Sequence, residues 1–376
     1  MSDYEGEGLL TIDLGAIAEN YTRMRARLKN GSECGAVVKA DAYGLGAAKV
    51  APVLYRVGCR TFFAATRQEG EQLRALLPED VRIFLLTGVR RGCERACAEA
   101  GLIPVLVTPA QVQRWIEATG ELDGGGLAAP SALKLDSGMT RLGMGTEELA
   151  ELLAQPALLQ RANLQLVLSH LACADENGHA QNDAQLATFT GALAQLRRIC
   201  PQLPASFANS SAICLGEAYH FDLVRPGCAL YGVNPTPSEP NPMRPVVSLR
   251  LPVLQLRRVS HDSAVGYGAT QFAAAGSWLA VVRGGYADGI LRAQSGRGCG
   301  VALAGDERVV VPMMGRVSMD TTVFDISALS EAQRARLEVI ELLGDSVTVD
   351  DMGAAAGTIG YEILTSLGRR YSRRYL

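Results

Sequence analysis

A lysine does covalent chemistry only when its amine can lose its proton, and Lys39 has the setting for that. Ala36-Val37-Val38-Lys39-Ala40-Asp41-Ala42-Tyr43-Gly44 flanks it with apolar residues. Desolvation of this kind penalises the ammonium and lowers its pKa, leaving a nucleophile able to form a Schiff base. By spacing alone, the same lysine also fits a strand end that reaches water. Other reactive types recur farther along the chain: Lys134 with Arg141, His170, Asn209 with Ser210, and Arg225-Pro226-Gly227-Cys228. Asn209-Ser210-Ser211 and Gly227-Cys228 offer hydroxyls and exposed backbone N–H groups, the donors a phosphate needs, although a serine-rich turn and a glycine bend read the same way. An amine and a phosphate cradle together point to pyridoxal phosphate.

To act together these residues need a common scaffold. Leu14, Ile17, Tyr21, Met24 and Leu28 recur at three- and four-residue steps behind a capping Asp13, which predicts a helix over 13–28. Eight β-favouring runs come after it, at 35–40, 61–65, 82–87, 103–107, 132–136, 164–170, 206–209 and 223–230. Helical spacing lies between them, as over 182–200 with Leu186, Phe189, Leu193, Leu196 and Cys200 on one face. Eight strand–helix units at intervals of roughly 25 to 30 residues predict an α/β fold, a (β/α)8 TIM-type barrel. Reactive side chains of such a barrel sit at the carboxyl ends of strands. Lys39 ends the first strand, the fifth carries Lys134 with Arg141 in the following loop, the sixth ends in His170, the seventh in Asn209 and Ser210, and the eighth in Arg225-Pro226-Gly227, so all face one mouth. The run Gly124-Gly125-Gly126 reads as a barrel loop rather than a phosphate cradle.

Near Pro235 the texture changes, with Pro235, Pro237, Pro240, Pro242 and Pro245 in a stretch that can continue neither helix nor sheet. Residues 1–235 are therefore assigned to the barrel and cofactor domain, and 236–376 to a smaller, mostly β domain. In the latter, Val247, Leu249, Leu251 and Val253 alternate with polar residues, and further strands are expected at 278–282, 308–313, 321–324 and 346–349.

Composition excludes several classes. A chain of 376 residues with 48% hydrophobic and 20% charged residues can bury one large and one smaller core, and a net charge of −3 attracts neither nucleic acid nor an anionic membrane. The start Met1-Ser2-Asp3-Tyr4-Glu5-Gly6-Glu7 is acidic and lacks the basic and apolar segments of a secretion signal. No uncharged apolar run reaches the length of about 18 residues that spans a bilayer. Nine cysteines without paired spacings read as reduced thiols, which places the protein in the cytoplasm. Cys93 and Cys97 lack a second pair or a histidine, so no metal site is expected.

The segment around Lys39 closely resembles the cofactor-lysine motif of bacterial alanine racemases, and the likeness extends through both halves. Lys134-Leu135-Asp136-Ser137-Gly138-Met139-Thr140-Arg141-Leu142-Gly143, Ser169-His170-Leu171-Ala172, Ala208-Asn209-Ser210-Ser211, Val224-Arg225-Pro226-Gly227, Gly266-Tyr267-Gly268-Ala269-Thr270, Gly285-Tyr286-Ala287-Asp288-Gly289, Gly315-Arg316-Val317-Ser318-Met319-Asp320 and Gly360-Tyr361-Glu362 fall in the family's order. The resemblance implies a pyridoxal-phosphate enzyme that interconverts L- and D-alanine, the latter a peptidoglycan precursor. It implies Lys39 as the Schiff-base lysine, with Tyr43, Asn209, Ser210, Gly227, the backbone of Cys228, and Tyr361 around the phosphate. Arg225, supported by His170, would face the pyridine nitrogen; because a guanidinium keeps its proton, the cofactor becomes a weaker electron sink, which favours racemisation over transamination. Arg141 would hold the substrate carboxylate, oriented by Lys134, which carries a carbamate in several members.

Racemisation needs one base on each face of the α-carbon. The resemblance implies Lys39 and Tyr267 for these roles, with Tyr267, Met319 and Asp320 supplied by the other subunit of a homodimer. Tyr286 and Tyr361 would narrow the pocket to a methyl group, favouring alanine over serine by a factor of about 10 to 200. Ser318, Cys228 and Thr321 depart from the family's usual residues without removing a named catalytic group. Competing expectations are a serine or broad-specificity racemase, a barrel-type pyridoxal-phosphate decarboxylase, and a barrel-only cofactor carrier. Tyr267 and Arg141 argue against decarboxylation, and the residues beyond Pro235 argue against a carrier.

Overall fold

The structure is a computed structural model that describes residues 8–120 and 126–376. The acidic start at 1–7 and the glycines Gly124 and Gly125 lie outside the described residues.

Asp13 caps the helix Leu14–Arg25, its Oδ1 accepting from Ala16 N at 2.7 Å, and the apolar stripe Ala16, Ile17, Tyr21 and Met24 is buried. Seven parallel strands then lie side by side in chain order: Ala36–Val37, Thr61–Ala64, Arg82–Leu85, Ile103–Leu106, Ser131–Lys134, Leu164–Leu168 and Ala205–Ser206. The eighth, Leu223–Val224, pairs in parallel with Glu33–Cys34 at the start of the first, and Gly35 N and Val37 N donate to Val224 O and Pro226 O at 2.9 Å. On its other side Asp222 N donates to Ala205 O and Arg225 N to Ala208 O, so the ring closes. Phe62, Phe63, Ile83, Phe84, Val105, Leu133 and Val167 are buried among the strands and the helices packed on them. The strands stop one to six residues before the ends expected of the β-favouring runs, because their final residues turn into the loops that carry the polar groups; the shortfall is largest in the eighth, where Cys228–Tyr231 is a short 3-10 helix instead.

The first strand departs from expectation in its backbone conformation. Instead of continuing to Ala40 it ends at Val37, and Ala40, Asp41, Ala42 and Tyr43 form a left-handed turn with φ of 52° to 56°. Each non-glycine residue in that conformation costs roughly 1–2 kcal/mol, so a run of four persists only when its surroundings over-determine it. Several contacts do so. Gly44 N donates to Ala40 O at 2.8 Å, Ala47 N to Asp41 Oδ1 at 2.7 Å, and Arg373 Nη1 to Gly44 O at 2.6 Å. Gly44 itself has φ +83°, and a Cβ there would stand 2.7 Å from Leu364 O.

The second domain is built on a mostly antiparallel sheet in the order Glu307–Pro312, Cys299–Ala304, Leu337–Leu343, Val247–Arg258, Leu9–Ile12 and Ser372–Tyr375. Trp278–Arg283 pairs with the far half of Val247–Arg258 and with Thr321–Asp325. Leu9–Ile12, placed by the sequence with the barrel, pairs instead with Val247–Arg258 and Ser372–Tyr375 in this sheet. The strand expected at 346–349 is corrected: Val349–Ala356 is a helix whose start is marked by the capping box of Thr348 and Asp351. One continuous core runs through both domains, with a small satellite of Val259, Val265, Ala273 and Leu279. All nine cysteines are free thiols, and no helix among the described residues is long and apolar enough to cross a membrane.

Candidate active site

At the carboxyl mouth of the barrel a cavity of about 900 Å³ is lined by Lys39, Tyr43, Lys134, Arg141, His170, Asn209, Ser210, Arg225, Gly227, Cys228 and Tyr361. Eleven of the fifteen residues that the sequence singles out thus meet in one place. Tyr361 reaches it from the helix Gly360–Ser366 of the second domain, which roofs the left-handed turn.

The cavity floor is strongly cationic. Arg225 is buried and donates to Ser206 Oγ at 2.5 Å and to Ser169 O at 2.6 Å, both neutral acceptors. Burial draws its pKa down to about 10, which still leaves it charged at neutral pH. Lys134 falls to about 8 through burial, then through the charges of Arg225, Arg141 and Lys39. Lys39 is lowered by burial and by Arg141, with Glu69 opposing. His170 is pushed well below the usual imidazole range by burial and by Arg225, and is therefore neutral. Such a concentration of positive charge on a low-dielectric floor calls for an anionic ligand.

The far wall carries groups that could hold a phosphate. Asn209 caps the short helix Ser210–Leu215, and Ser210 Oγ accepts from Gly227 N at 2.9 Å and Ala229 N at 3.3 Å, tying together the loops after the seventh and eighth strands. The Tyr361 hydroxyl donates to Cys228 Sγ at 2.9 Å, and the Tyr43 and Tyr361 rings stand 6.1 Å apart. Hydroxyls and backbone N–H groups on this wall, with cations on the floor, match the phosphate and ring of pyridoxal phosphate. A Cβ on Gly227 would stand 2.5 Å from the Tyr43 hydroxyl. Gly227→Ala is therefore expected to cost about 1–3 kcal/mol of stability through overpacking, read as a lowered thermal midpoint, and to weaken cofactor retention measured by dialysis.

Four expected residues lie elsewhere. Tyr267, in the turn Tyr267–Ala269, is 67% exposed, Met319 52% and Tyr286 43%. Asp320 is paired with Arg370 at 2.8 Å. They are nevertheless neighbours of one another: Tyr286 N donates to Ser318 O and Ala287 N to Met319 O, while the Tyr267 turn packs on Gly315-Arg316.

The structure also adds residues that the sequence leaves unmarked. Gln185, fully buried on the helix Ala180–Arg197, donates to His170 O at 3.0 Å and to Ser137 Oγ at 3.2 Å, and Ser137 Oγ lies 2.8 Å from Ser169 Oγ. A buried polar residue on the apolar face of a helix is a weak signal, and Gln185 sits one position before Leu186 on that stripe. Leu86, Thr87, Thr358, Ile359 and Thr365 also line the cavity.

Residues 12–235 match the family model described as alanine racemase, N-terminal domain, and 246–375 the alanine racemase, C-terminal domain. The alanine racemase of Rhodospirillum rubrum is 48% identical over 98% of this chain and 95% of its own length. The catabolic alanine racemase of Mesorhizobium japonicum is 46% identical over 100% and 95%. The crystal structure of alanine racemase from Bartonella henselae with covalently bound pyridoxal phosphate has a TM-score of 0.91 at 39% identity, covering 98% of this chain and 99% of that one. That from Streptomyces coelicolor has a TM-score of 0.89 at 33% identity, covering both chains fully.

Proposed function

The chain belongs to the alanine racemase family and is a pyridoxal-phosphate-dependent isomerase; on that premise we propose how its own residues interconvert L- and D-alanine. The observation that carries the assignment of roles is the single cavity where Lys39, Arg141, Arg225 and the Ser210–Gly227 wall meet. Pyridoxal phosphate, when bound, withdraws electrons from the α-carbon of an amino acid and so acidifies its hydrogen.

Lys39 would hold the cofactor through Nζ, and its amine is the group that would take or return the α-proton on one face. Its lowered pKa places more of the amine in the basic form at neutral pH. Ser210, Tyr43, Tyr361 and the N–H groups at Gly227 and Cys228 would hold the phosphate. Arg225, kept protonated while hydrogen-bonded to neutral acceptors, would face the ring nitrogen without giving up a proton. Neutral His170 lies in its field and supports it. Arg141, beside Lys39, takes the substrate carboxylate.

The proton on the opposite face needs a second base, and Tyr267 is that residue. It does not line the cavity of its own chain. We propose that residues 236–376 of one copy complete the site built by 1–235 of another, bringing Tyr267, Tyr286, Met319 and Asp320 of one protomer to the cavity of its partner. Exposure of Tyr267, Phe272, Tyr286 and Met319 supports this, since apolar side chains gathered on a surface mark interfaces. Methyl-sized specificity follows from Tyr286 and Tyr361 at the mouth, and the cytoplasm is the expected compartment.

Lys134 adds a pH-dependent feature. The neutral amine is the form that adds carbon dioxide, and its fraction rises as pH rises through about 8. Carbamylation would turn a cation beside Arg141 into an anion that orients the guanidinium. The peptide containing Lys134 is expected to carry the added mass increasingly above that pH in bicarbonate; an unmodified peptide throughout sinks this assignment.

The reaction itself is tested with L-alanine in heavy water. D-alanine labelled at the α-carbon should accumulate to near equality with L-alanine. Retained hydrogen and chirality, or release of carbon dioxide, would reassign the activity.

A further inference from the structure

The left-handed turn at Ala40–Tyr43 aims Lys39, yet its first amide is not held by the barrel backbone. Ala40 N donates to Glu69 Oε1 at 3.0 Å, and the other oxygen of the same carboxylate accepts from Ala65 N, at the end of the second strand, at 2.7 Å. One side chain therefore bolts the residue after Lys39 to the neighbouring strand. We propose that Glu69 is a positioning residue for Lys39: its carboxylate fixes the start of the left-handed turn and sets an acidic group in the field of the reactive amine. This rests on Lys39 being the cofactor lysine.

A plainer role is available, because Glu69 also belongs to the capping box of its helix, Arg67–Arg74, with Thr66. Distances separate the two. Thr66 N reaches Glu69 Oε2 only at 3.4 Å, against 2.7 Å from Ala65 and 3.0 Å from Ala40. Both oxygens are used by residues outside the helix, so the carboxylate serves the barrel mouth before it serves its own helix end.

The groups facing Lys39 set the sign of its effect. Arg141, from the loop after the fifth strand, disfavours a charged Lys39; Lys134 and Arg225 add to the cationic surroundings at the ends of the fifth and eighth strands, and His170, at the end of the sixth, is neutral. Glu69 acts the other way and favours the protonated amine. Without it the proton on that nitrogen should be held less tightly.

The experiment uses the cofactor-loaded enzyme and the variants Glu69→Gln and Thr66→Ala. Glutamine has the shape but only one acceptor oxygen, so it can satisfy one of the two amides; Thr66→Ala removes the cap hydroxyl and leaves the carboxylate in place. In Glu69→Gln, exchange of the Ala40 amide is expected to quicken about tenfold or more. The pH titration of the cofactor's visible absorption should move down by about one unit, and kcat should fall with KM little changed. Thr66→Ala should match the wild type in all three. Equal behaviour of the two variants, or unchanged Ala40 exchange in Glu69→Gln, overturns the proposal. Should Glu69→Gln fail to fold, Glu69→Asp keeps the charge without the reach, and is expected to retain the titration while losing Ala40 protection; wild-type protection overturns the proposal. Borohydride reduction and peptide mapping of the wild type separates the two layers: a tag on a lysine other than Lys39 overturns both this proposal and the reading beneath it, whereas a tag on Lys39 leaves the outcome to the Ala40 amide.

Discussion

Replacing Lys39 with alanine is expected to abolish racemisation in both directions, by roughly 10^4-fold or more, because one substitution removes both the covalent hold on the cofactor and a base. The protein should still fold. Lys39 is only partly buried, and the turn beyond it is held by Glu69, Asp41 and Arg373 rather than by the lysine side chain. Phosphate-wall contacts also remain, so cofactor should bind reversibly and be lost on dialysis. Chiral chromatography of alanine after incubation, with a visible spectrum before and after dialysis, checks both parts. Residual turnover within tenfold of wild type would mean that another amine, with Lys134 the nearest candidate on the floor, carries the chemistry.

Tyr267→Phe should cost less, roughly 10^2 to 10^4-fold, the usual contribution of one positioned acid or base. Its more telling signature is asymmetry. With Lys39 intact, one alanine enantiomer should continue to exchange its α-hydrogen with solvent while conversion to the other stalls. Mixing Lys39→Ala and Tyr267→Phe subunits should then restore activity, since each mixed dimer regains one site with both bases. Random pairing of equal amounts makes half the dimers mixed, with one intact site of two, so recovery should approach roughly a quarter of the wild-type rate. Absence of recovery, with mixed dimers verified by mass, would mean that the two residues serve the same protomer's site, and the arrangement inferred from the exposure of Tyr267 would fail. Phenylalanine is suited to this test because Tyr267 is largely exposed in the single chain, so little packing is disturbed.

Much of the fold is legible in short-range pattern. Asp13 announces its helix because a carboxylate at the N-cap satisfies an orphan N–H, whatever lies elsewhere in the chain. The eight barrel strands announce themselves as runs of Val, Ile, Leu and Phe, because strands buried on both faces need not alternate. Each run gives way to a loop, and a charged residue at such a position faces the mouth, which is why Lys39, His170 and Arg225 can be found without coordinates. Strand ends are less legible. The run through Val38 and Ala40 has β propensity throughout, yet long-range contacts to Glu69, Leu364 and Arg373 bend it into the left-handed region. At 346–349 the alternation of Val347 and Val349 suggests a strand, but a capping box outweighs a pattern of two residues.

By itself, then, the sequence determined the barrel, the amine and the phosphate donors that could act on its mouth, and the change of texture near Pro235, because each of these is written in residues that are neighbours in the chain or recur at a fixed period. Only the tertiary structure decided that Leu9–Ile12 leaves the barrel for the second sheet, that Gln185 braces His170, that Glu69 bolts the turn behind Lys39, and that Tyr267 stands away from the cavity of its own chain. Those outcomes depend on pairings between segments from 15 to 363 residues apart, where many arrangements satisfy the same local preferences and the choice falls to whichever buries the apolar strands and satisfies the polar groups together.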